Sequence, residues 1–287
     1  MAVSLRRPIL DWYEAHRRDL PWRRPDATPW GILVSEIMLQ QTPVVRVLPA
    51  WTEWMARWPT PEALAKEPPG EAVRQWGRLG YPRRALNLHA CAKVITAEHG
   101  GRVPSTYAEL RALPGVGDYT AAAVASFAFG GRHAVLDTNV RRVLARAIRG
   151  EEHPPRATTA AERRLAESLV PEVGAPRWAV AVMELGALVC TARAPRCEAC
   201  PIAGQCAWRL AGRPAGPVRR GQRYAGTDRQ CRGRLLAVLR EADGPVPKSA
   251  LDAVWPDQAQ RERALDSLLD DGLAEVLPDG TYRLPAG

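Results

Sequence analysis

The chain is poor in lysine, phenylalanine and long apolar runs, and each shortage excludes something. Of its 287 residues only Lys66, Lys93 and Lys248 are lysines, so its positive charge is carried by arginine, a side chain that stays protonated and presents a planar fork of donors. The longest apolar stretches, Ala121–Phe129 and Trp178–Cys190, fall short of the about 18 residues that a membrane-spanning helix needs, and Glu184 interrupts the second. No secretory apolar core opens the chain, because Arg6, Arg7 and Asp11 follow close on Met1. Histidine is scarce, and none lies among the four cysteines that crowd into residues 190–206. Without an export signal, six cysteines argue against a disulfide framework. Disorder as the main state is excluded as well, since charged residues are 25% of the chain and tryptophan occurs 10 times.

What is present is a net charge of +9, from 40 basic against 31 acidic residues. A balance of that size fits a polyanionic partner, because each phosphate contact releases condensed counterions. Compositional bias in a chain rich in Arg, Ala, Gly and Pro is the alternative.

The hydrophobic period is helical almost throughout. Helices are expected over Leu5–His16, Gly31–Gln41, Val44–Trp58, residues 61–66 and 70–78, and Arg84–His99. Thr106-x-x-Glu109 reads as a capping box opening a short helix to Ala112. Further helices are expected near 119–129, 138–149, 159–170 and 176–189. Residues 212–229, rich in Gly, Pro and Arg, read as a linker that separates a core of residues 1–211 from a module of residues 230–287. In that module helices are expected at Gln230–Glu241, Lys248–Val254 and Gln258–Asp271. Ser249-x-x-Asp252 and Asp257-x-x-Gln260 would open the last two. Leu273–Leu277 and Thr281–Leu284 flank Pro278-Asp279-Gly280 as a hairpin, so the module reads as a winged helix.

Four segments carry chemistry. Leu113-Pro114-Gly115-Val116-Gly117-Asp118-Tyr119-Thr120, between a capped short helix and an Ala-rich one, describes a helix–hairpin–helix. Its glycines let the backbone approach a phosphate, and the amides of the next helix N-terminus point at the anion. An ordinary αα-turn would also place glycine there. Cys190-x6-Cys197-x2-Cys200-x5-Cys206 holds four thiols within 17 residues. Only one Cys-x2-Cys knuckle exists, and the unequal loops suit the separated corners of an iron–sulfur cube better than tetrahedral zinc, which stays open. Arg193 and Arg196 lie in the six-residue loop, where a metal centre could stiffen a basic surface against DNA. Cys91 and Cys231 are isolated and read as packing residues. Asp137, in Leu136-Asp137-Thr138-Asn139-Val140, reads alone as a helix N-cap, but it stands 18 residues after Tyr119 and can return to the mouth of the hairpin. Glu36, with Gln40 one turn on, makes a polar stripe on the apolar helix of Ser35-Glu36-Ile37-Met38-Leu39-Gln40-Gln41-Thr42, for which a solvated face is the plain reading.

In this order and spacing, together with Leu79-Gly80-Tyr81 and Met183-Glu184-Leu185-Gly186-Ala187, these segments resemble the helix–hairpin–helix DNA glycosylases that carry an iron–sulfur cluster, and most of all the adenine-DNA glycosylases (MutY). The resemblance covers about residues 5–210. It implies an all-α, two-lobed fold with a 4Fe-4S cluster in the loop 190–206, held by Cys190, Cys197, Cys200 and Cys206, and followed here by the small α+β module. It implies a monomeric, cytoplasmic, nucleoid-associated repair enzyme that acts on double-stranded DNA containing a mismatched adenine and has no membrane partner. Glu36 and Asp137 become the catalytic acid pair, with Tyr119 and Asn139 orienting them. Gly115, Val116, Gly117, Arg193 and Arg196 become DNA contacts, and Gln41 and Tyr81 the residues that wedge into the space of an extruded base. Related lyases carry a lysine where this chain has Tyr119, so Schiff-base strand cleavage is not expected.

Two departures qualify the resemblance. Relatives commonly place an amide or carboxylate near the position of Val180, which can neither donate nor accept. Many also end in a larger domain that reads the oxidised guanine opposite adenine, whereas only about 58 residues follow the linker here. Two alternatives therefore stand beside adenine release: removal of thymine or uracil opposite guanine, and a non-catalytic iron–sulfur DNA-binding regulator.

Overall fold

The computed structural model of the protein describes residues 2–217 and 224–287. Up to the hairpin motif the helices are α1 (Ala2–His16), α2 (Pro29–Leu39), α3 (Val44–Arg57), α4 (Pro61–Ala65), α5 (Pro69–Trp76), α6 (Arg83–Glu98) and α7 (Tyr107–Ala112). They continue as α8 (Asp118–Phe129), α9 (Thr138–Leu144), α10 (Ala160–Leu169), α11 (Ala175–Leu188) and α12 (Ala207–Leu210). The C-terminal segment adds α13 (Asp228–Glu241), α14 (Lys248–Asp252), α15 (Gln258–Asp270), and strands β1 (Glu275–Val276) and β2 (Tyr282–Arg283). The fold is thus all-α with a small terminal β element, and among the described residues no helix is long and apolar enough to cross a membrane.

The chain forms two compact units. The first joins Met1–Pro29, Ser105–Arg111 and Gly117–Arg219. Its core is built where α1, α9, α10 and α11 bring together Ile9, Tyr13, Val140, Leu169, Trp178, Val182 and Leu185. Val180 packs against this core, which absorbs its apolar side chain. The Thr159–Glu162 capping box opens α10: Glu162 N–H reaches the Thr159 hydroxyl at 3.2 Å, and Thr159 N–H reaches Glu162 Oε2 at 3.0 Å. After α9 the helix continues as a π turn over 145–149 and stops at Gly150, whose φ of 72° ends it.

The second unit joins Trp30–Pro104, Ala112–Val116 and Arg220–Gly287. Trp54, Trp58 and Trp76 are almost wholly buried in its core, with edge contacts at centroid distances of 4.7 Å (Trp54–Trp58) and 5.8 Å (Trp54–Trp76). The C-terminal segment belongs to this unit. Its α13, α14 and α15 enclose Leu235, Leu239, Leu251, Leu265 and Leu268, and β1 and β2 pair antiparallel as the expected hairpin. Val246 bridges Tyr282 as an additional strand position, completing a winged-helix-like module.

One expectation changes. Ser249 does not cap α14: that helix begins at Lys248 behind Pro247, and Asp252 instead accepts from Lys248 Nζ at 2.9 Å and Arg261 Nε at 2.8 Å. A proline that fixes an extended approach takes over the role of the hydroxyl cap. The segment 212–229 is anchored at its start: Gly216 N–H donates to Glu152 at 2.6 Å and the Trp208 indole to Pro214 O at 2.9 Å. Its residues 218–223 lie outside the described residues.

Candidate active site and DNA interface

In the first unit Asp137 is an N-cap, and more. Its Oδ1 accepts the Val140 N–H at 2.6 Å, which satisfies the first turn of α9, and its Oδ2 accepts the Asn139 amide at 2.7 Å. Asn139 is held in turn. Its Oδ1 accepts Arg142 Nη2 at 2.7 Å, and the same guanidinium donates to Gly186 O at 2.7 Å and to Cys190 O at 2.6 Å. Burial pushes the Asp137 carboxyl above the ordinary aspartate value, opposed by the Val140 N–H, the Asn139 amide and the Arg142 charge. The sequence alone suggested a carboxylate that simply stays ionised; here three partners favour the ionised form, but desolvation outweighs them and the carboxyl holds its proton more tightly than an ordinary aspartate. Beside Leu136, a cavity of about 410 Å³ is lined by Tyr119, Ala122, Asp118, Arg163 and the stacked pair Tyr107 and His133. Tyr119 also packs on Ala123, Val135 and Ala179, which fixes its ring.

In the second unit Glu36 is not on a solvated face. It is 4% exposed, within the run Trp30–Met38 that is buried throughout α2. Just beyond this helix, Gln41 is exposed with φ 55°, and Tyr81 is 48% exposed with φ 48°. Both conformations are unusual for residues with a Cβ and must be held by their surroundings. Arg84 holds them. Buried at 8% exposure, it donates through Nη1 to Ile37 O, Met38 O and Gln40 O at 2.9, 3.0 and 2.6 Å. Through Nη2 it reaches the Thr42 hydroxyl at 2.9 Å and Gly80 O at 3.0 Å. One guanidinium thus gathers the orphan carbonyls at the end of α2 and ties that turn to the turn carrying Tyr81. Burial lowers its pKa to about 10, which still leaves it charged at neutral pH. Sequence reading missed Arg84, which lies three residues beyond Tyr81 with no pattern to separate it from Arg83.

The hairpin motif divides its labour. Gly115 has φ 75°, and a Cβ there would stand 2.6 Å from Asn87 Cβ, so only glycine serves. Gly117 is extended, at φ −93° and ψ 178°, and a Cβ there would meet nothing; what it leaves is open space at the start of α8. Val116, expected as a contact, is buried at 4% exposure and its N–H donates to Leu113 O at 3.1 Å, which pins the turn from inside. Asp118 accepts from Arg111 at 2.7 Å and Arg163 at 3.3 Å, which offsets its negative charge at the start of α8.

Cys190, Cys197, Cys200 and Cys206 are free, half-buried and line one cavity with Arg146, Pro195 and Trp208. Arg146 braces the loop by donating to Thr191 O at 2.7 Å and Ala192 O at 3.2 Å, with Nη1 3.5 Å from Cys190 Sγ. Four cysteines lining one cavity, with cationic donors beside them, supply the donor set of an anionic thiolate-held cluster. Arg193 is exposed; Arg196 is exposed too, but its guanidinium donates back to Leu188 O at the end of α11. Cys91 and Cys231 are buried packing residues, and burial pushes the Cys91 thiol up to about 12.

Glu184 is wholly buried and receives Arg18 Nε at 2.6 Å, Arg18 Nη2 at 2.8 Å and Arg23 Nη1 at 2.7 Å, so the segment after α1 is locked onto α11. Its pKa falls to about 2, because the two arginines outweigh desolvation. The one charge interrupting an apolar stretch was its sequence signal.

Residues 34–171 match the family model of the HhH-GPD superfamily base excision DNA repair proteins, and residues 190–206 match the iron–sulfur binding domain of endonuclease III. The chain's cofactor is accordingly a 4Fe-4S cluster. The chain is 56% identical over 278 residues to the adenine DNA glycosylase of Mycolicibacterium smegmatis, covering 96% of this chain and 94% of that one. It is 54% identical over 281 residues to the adenine DNA glycosylase of Mycobacterium tuberculosis, covering 96% and 92%. Among solved structures, a thermostable thymine-DNA glycosylase matches with TM-score 0.68 and 32% identity over 73% of this chain and 97% of that one. The mycobacterial matches extend through the short C-terminal module, whereas the solved structure stops short of the whole chain. On the extent and identity of these matches, the chain belongs to the adenine DNA glycosylases of the helix–hairpin–helix base excision repair superfamily.

Proposed function

We propose that the protein, acting as a monomer on double-stranded DNA at the nucleoid, hydrolyses the N-glycosidic bond of adenine mispaired with 8-oxoguanine or guanine and leaves the strand intact. The observation that carries this reading is the contrast between its two carboxyl groups: Glu36 sits within a fully buried apolar helix, and Asp137 within a hydrogen-bonded cap. Neutral adenine departs only if a ring nitrogen gains a proton as the bond to C1′ breaks. Glu36, buried within α2, donates that proton while the bonding pair leaves with the base. Asp137, whose ionised form Val140, Asn139 and Arg142 favour against desolvation, stabilises the oxocarbenium until water adds at C1′ and gives up a proton, which restores the acid form of Glu36. Tyr119 orients from the cavity wall, and Asn139 from the cap. Gln41 and Tyr81 occupy the space of the extruded nucleotide, whose flipping costs a few kcal/mol.

The backbone of Gly115 and Gly117 grips a phosphate around the pinned Val116, and Arg193 and Arg196 add charge on the cluster loop. Cys190, Cys197, Cys200 and Cys206 hold the cluster, which when bound fixes that loop in place. Residues 1–211 form the catalytic core, 212–229 the connection and 230–287 the appended module. Tyr119 replaces the amine that a lyase needs, so no Schiff base forms.

Removal of thymine from a T:G pair is the second reading. It is favoured by the likeness to a structure named as a thymine-DNA glycosylase. A panel of A:8-oxoG, A:G, T:G and U:G duplexes, developed by alkaline cleavage, separates them. Release from the adenine duplexes alone is expected; release from T:G or U:G instead would overturn the proposal, and release from none would favour a non-catalytic binder.

A further inference from the structure

The turn that carries Tyr81 is held from two sides. Gly80 and Tyr81 both lie at positive φ, 84° and 48°, and for a residue with a Cβ such a backbone must be held by its surroundings. From the core side, Arg84 Nη2 and the Trp76 indole donate to Gly80 O at 3.0 and 2.9 Å. From the C-terminal module, Asp271 accepts Nη1 of Arg83, the first residue of α6, at 3.2 Å. Asp271 closes α15, and its Oδ2 accepts Arg232 Nη2 of α13 at 2.5 Å; Arg232 also donates to the Ser267 hydroxyl. One carboxylate thus joins two helices of the module to the residue two positions beyond Tyr81. Arg229, one turn before Arg232, has its Cζ 6.0 Å from the centre of the Tyr81 ring, and Arg84 stands 5.6 Å from the same ring. Both are cation–π distances.

The module is seated firmly enough to act as this second support. Arg240 Nε donates to Val73 O at 2.9 Å, and Arg74 Nη1 donates to Ala242 O at 2.9 Å. Gly70 N–H donates to Pro285 O at 2.8 Å, and a Cβ on Gly70 would stand 2.6 Å from that oxygen. Its charge also suits a support better than a phosphate-binding surface: residues 230–287 carry 10 acidic against 7 basic side chains, whereas residues 1–229 carry 33 basic against 21 acidic.

We propose that Asp271 is a positioning residue for adenine release: through Arg83 it lets the C-terminal module hold Tyr81 in the pose in which that ring enters the duplex. This rests on the reading of Tyr81 as a wedge. An ion pair whose arginine side chain is 67% exposed adds little to folding stability, so its use lies in the geometry that it fixes. A turn set in advance spares the ordering cost that a loose aromatic would bear on insertion.

The test uses the full cluster-loaded chain on an A:8-oxoG duplex with 2-aminopurine beside the target adenine, a probe that brightens as stacking is lost. Asp271→Ala, Arg83→Gln, Tyr81→Ala and the double variant Asp271→Ala/Tyr81→Ala are compared with wild type in the fluorescence rise and in single-turnover release. Asp271→Ala and Arg83→Gln are each expected to slow both by about 3- to 5-fold, the scale of one ion pair. Asp271→Ala should change neither once Tyr81 is removed. Asp252→Ala, which parts a carboxylate from Lys248 and Arg261 inside the module, should leave both rates as they are. Equal losses with and without Tyr81 would mean that Asp271 acts on the fold at large, and would overturn the proposal. So would a loss in Arg83→Gln alone, which would make Arg83 a direct DNA contact. If Tyr81→Ala is impaired and Asp271→Ala is not, the proposal alone falls. If Tyr81→Ala unstacks the probe and releases adenine normally, the wedge reading falls with it.

Discussion

Gly186 of α11 lies directly against Asn139 of α9: a Cβ at Gly186 would stand 2.7 Å from Asn139 Cβ and 2.8 Å from its carbonyl oxygen. Asn139 cannot retreat without giving up its 2.7 Å bond to Asp137. Gly186→Ala should therefore cost about 1–3 kcal/mol of stability, as overpacking does. On the proposed mechanism, in which Asn139 orients the reacting carboxylate, it should also lower kcat by about 10-fold or more with little change in KM. Thermal melting and single-turnover rates check both; loss of stability with an unchanged rate would separate Asn139 from the chemistry.

On the proposed mechanism Asp137 sets the acid limb of the rate profile. Burial raises its pKa, so the ionised form is lost on acidification at a pH above the ordinary aspartate value of 3.8. Asn139→Ala removes a donor to the ionised form and should move the limb further up. Rates measured across the acid range give the result directly, and a limb at or below the ordinary value would contradict the site described here.

Glu184 makes stability depend on pH. Its folded pKa of about 2 lies below the ordinary 4.5, so its contribution is fully present above the ordinary value and disappears as pH falls towards 2. The shift corresponds to about 3 kcal/mol. Glu184→Gln should lose about that much in urea unfolding at neutral pH, and the gap from wild type should narrow on acidification. A gap that stays constant with pH would show that the two arginines hold it by shape rather than charge.

Arg84 acts through Gln41 and Tyr81 rather than on the reacting atoms. Arg84→Met should weaken DNA binding and slow release together. Arg84→Lys should not rescue, because a three-donor point charge cannot span five acceptors on two turns. Binding by anisotropy alongside the release rate checks this; full rescue by lysine would reduce Arg84 to a buried charge.

The sequence disclosed more of the helices than of the contacts between them. Period and caps placed α1 to α11 and the terminal hairpin within a few residues, because each helix buries an apolar face that the spacing already marks. The Asp137 cap was legible because an N-cap acts on its own next turn. Glu36 was not: a carboxylate on an apolar helix looks alike whether it faces solvent or core, and only the packing around α2 settles that it is buried. Arg84, Arg229 and the Gly186–Asn139 approach depend on elements far apart in the chain, and no local pattern announces them. Ser249 misled for the opposite reason, since a good local cap was overridden by Pro247, behind which the helix already begins at Lys248.

On the proposed mechanism Asp137 carries the chemistry and is not merely a helix cap. Asp137→Asn keeps a side-chain oxygen for the Val140 N–H, and with it most of the cap, but removes the charge. Adenine release from an A:8-oxoG duplex, measured under single turnover alongside binding to the same duplex, is the direct measurement. Release is expected to be abolished while binding and folding persist; release at or near the wild-type rate would leave Asp137 a helix cap alone.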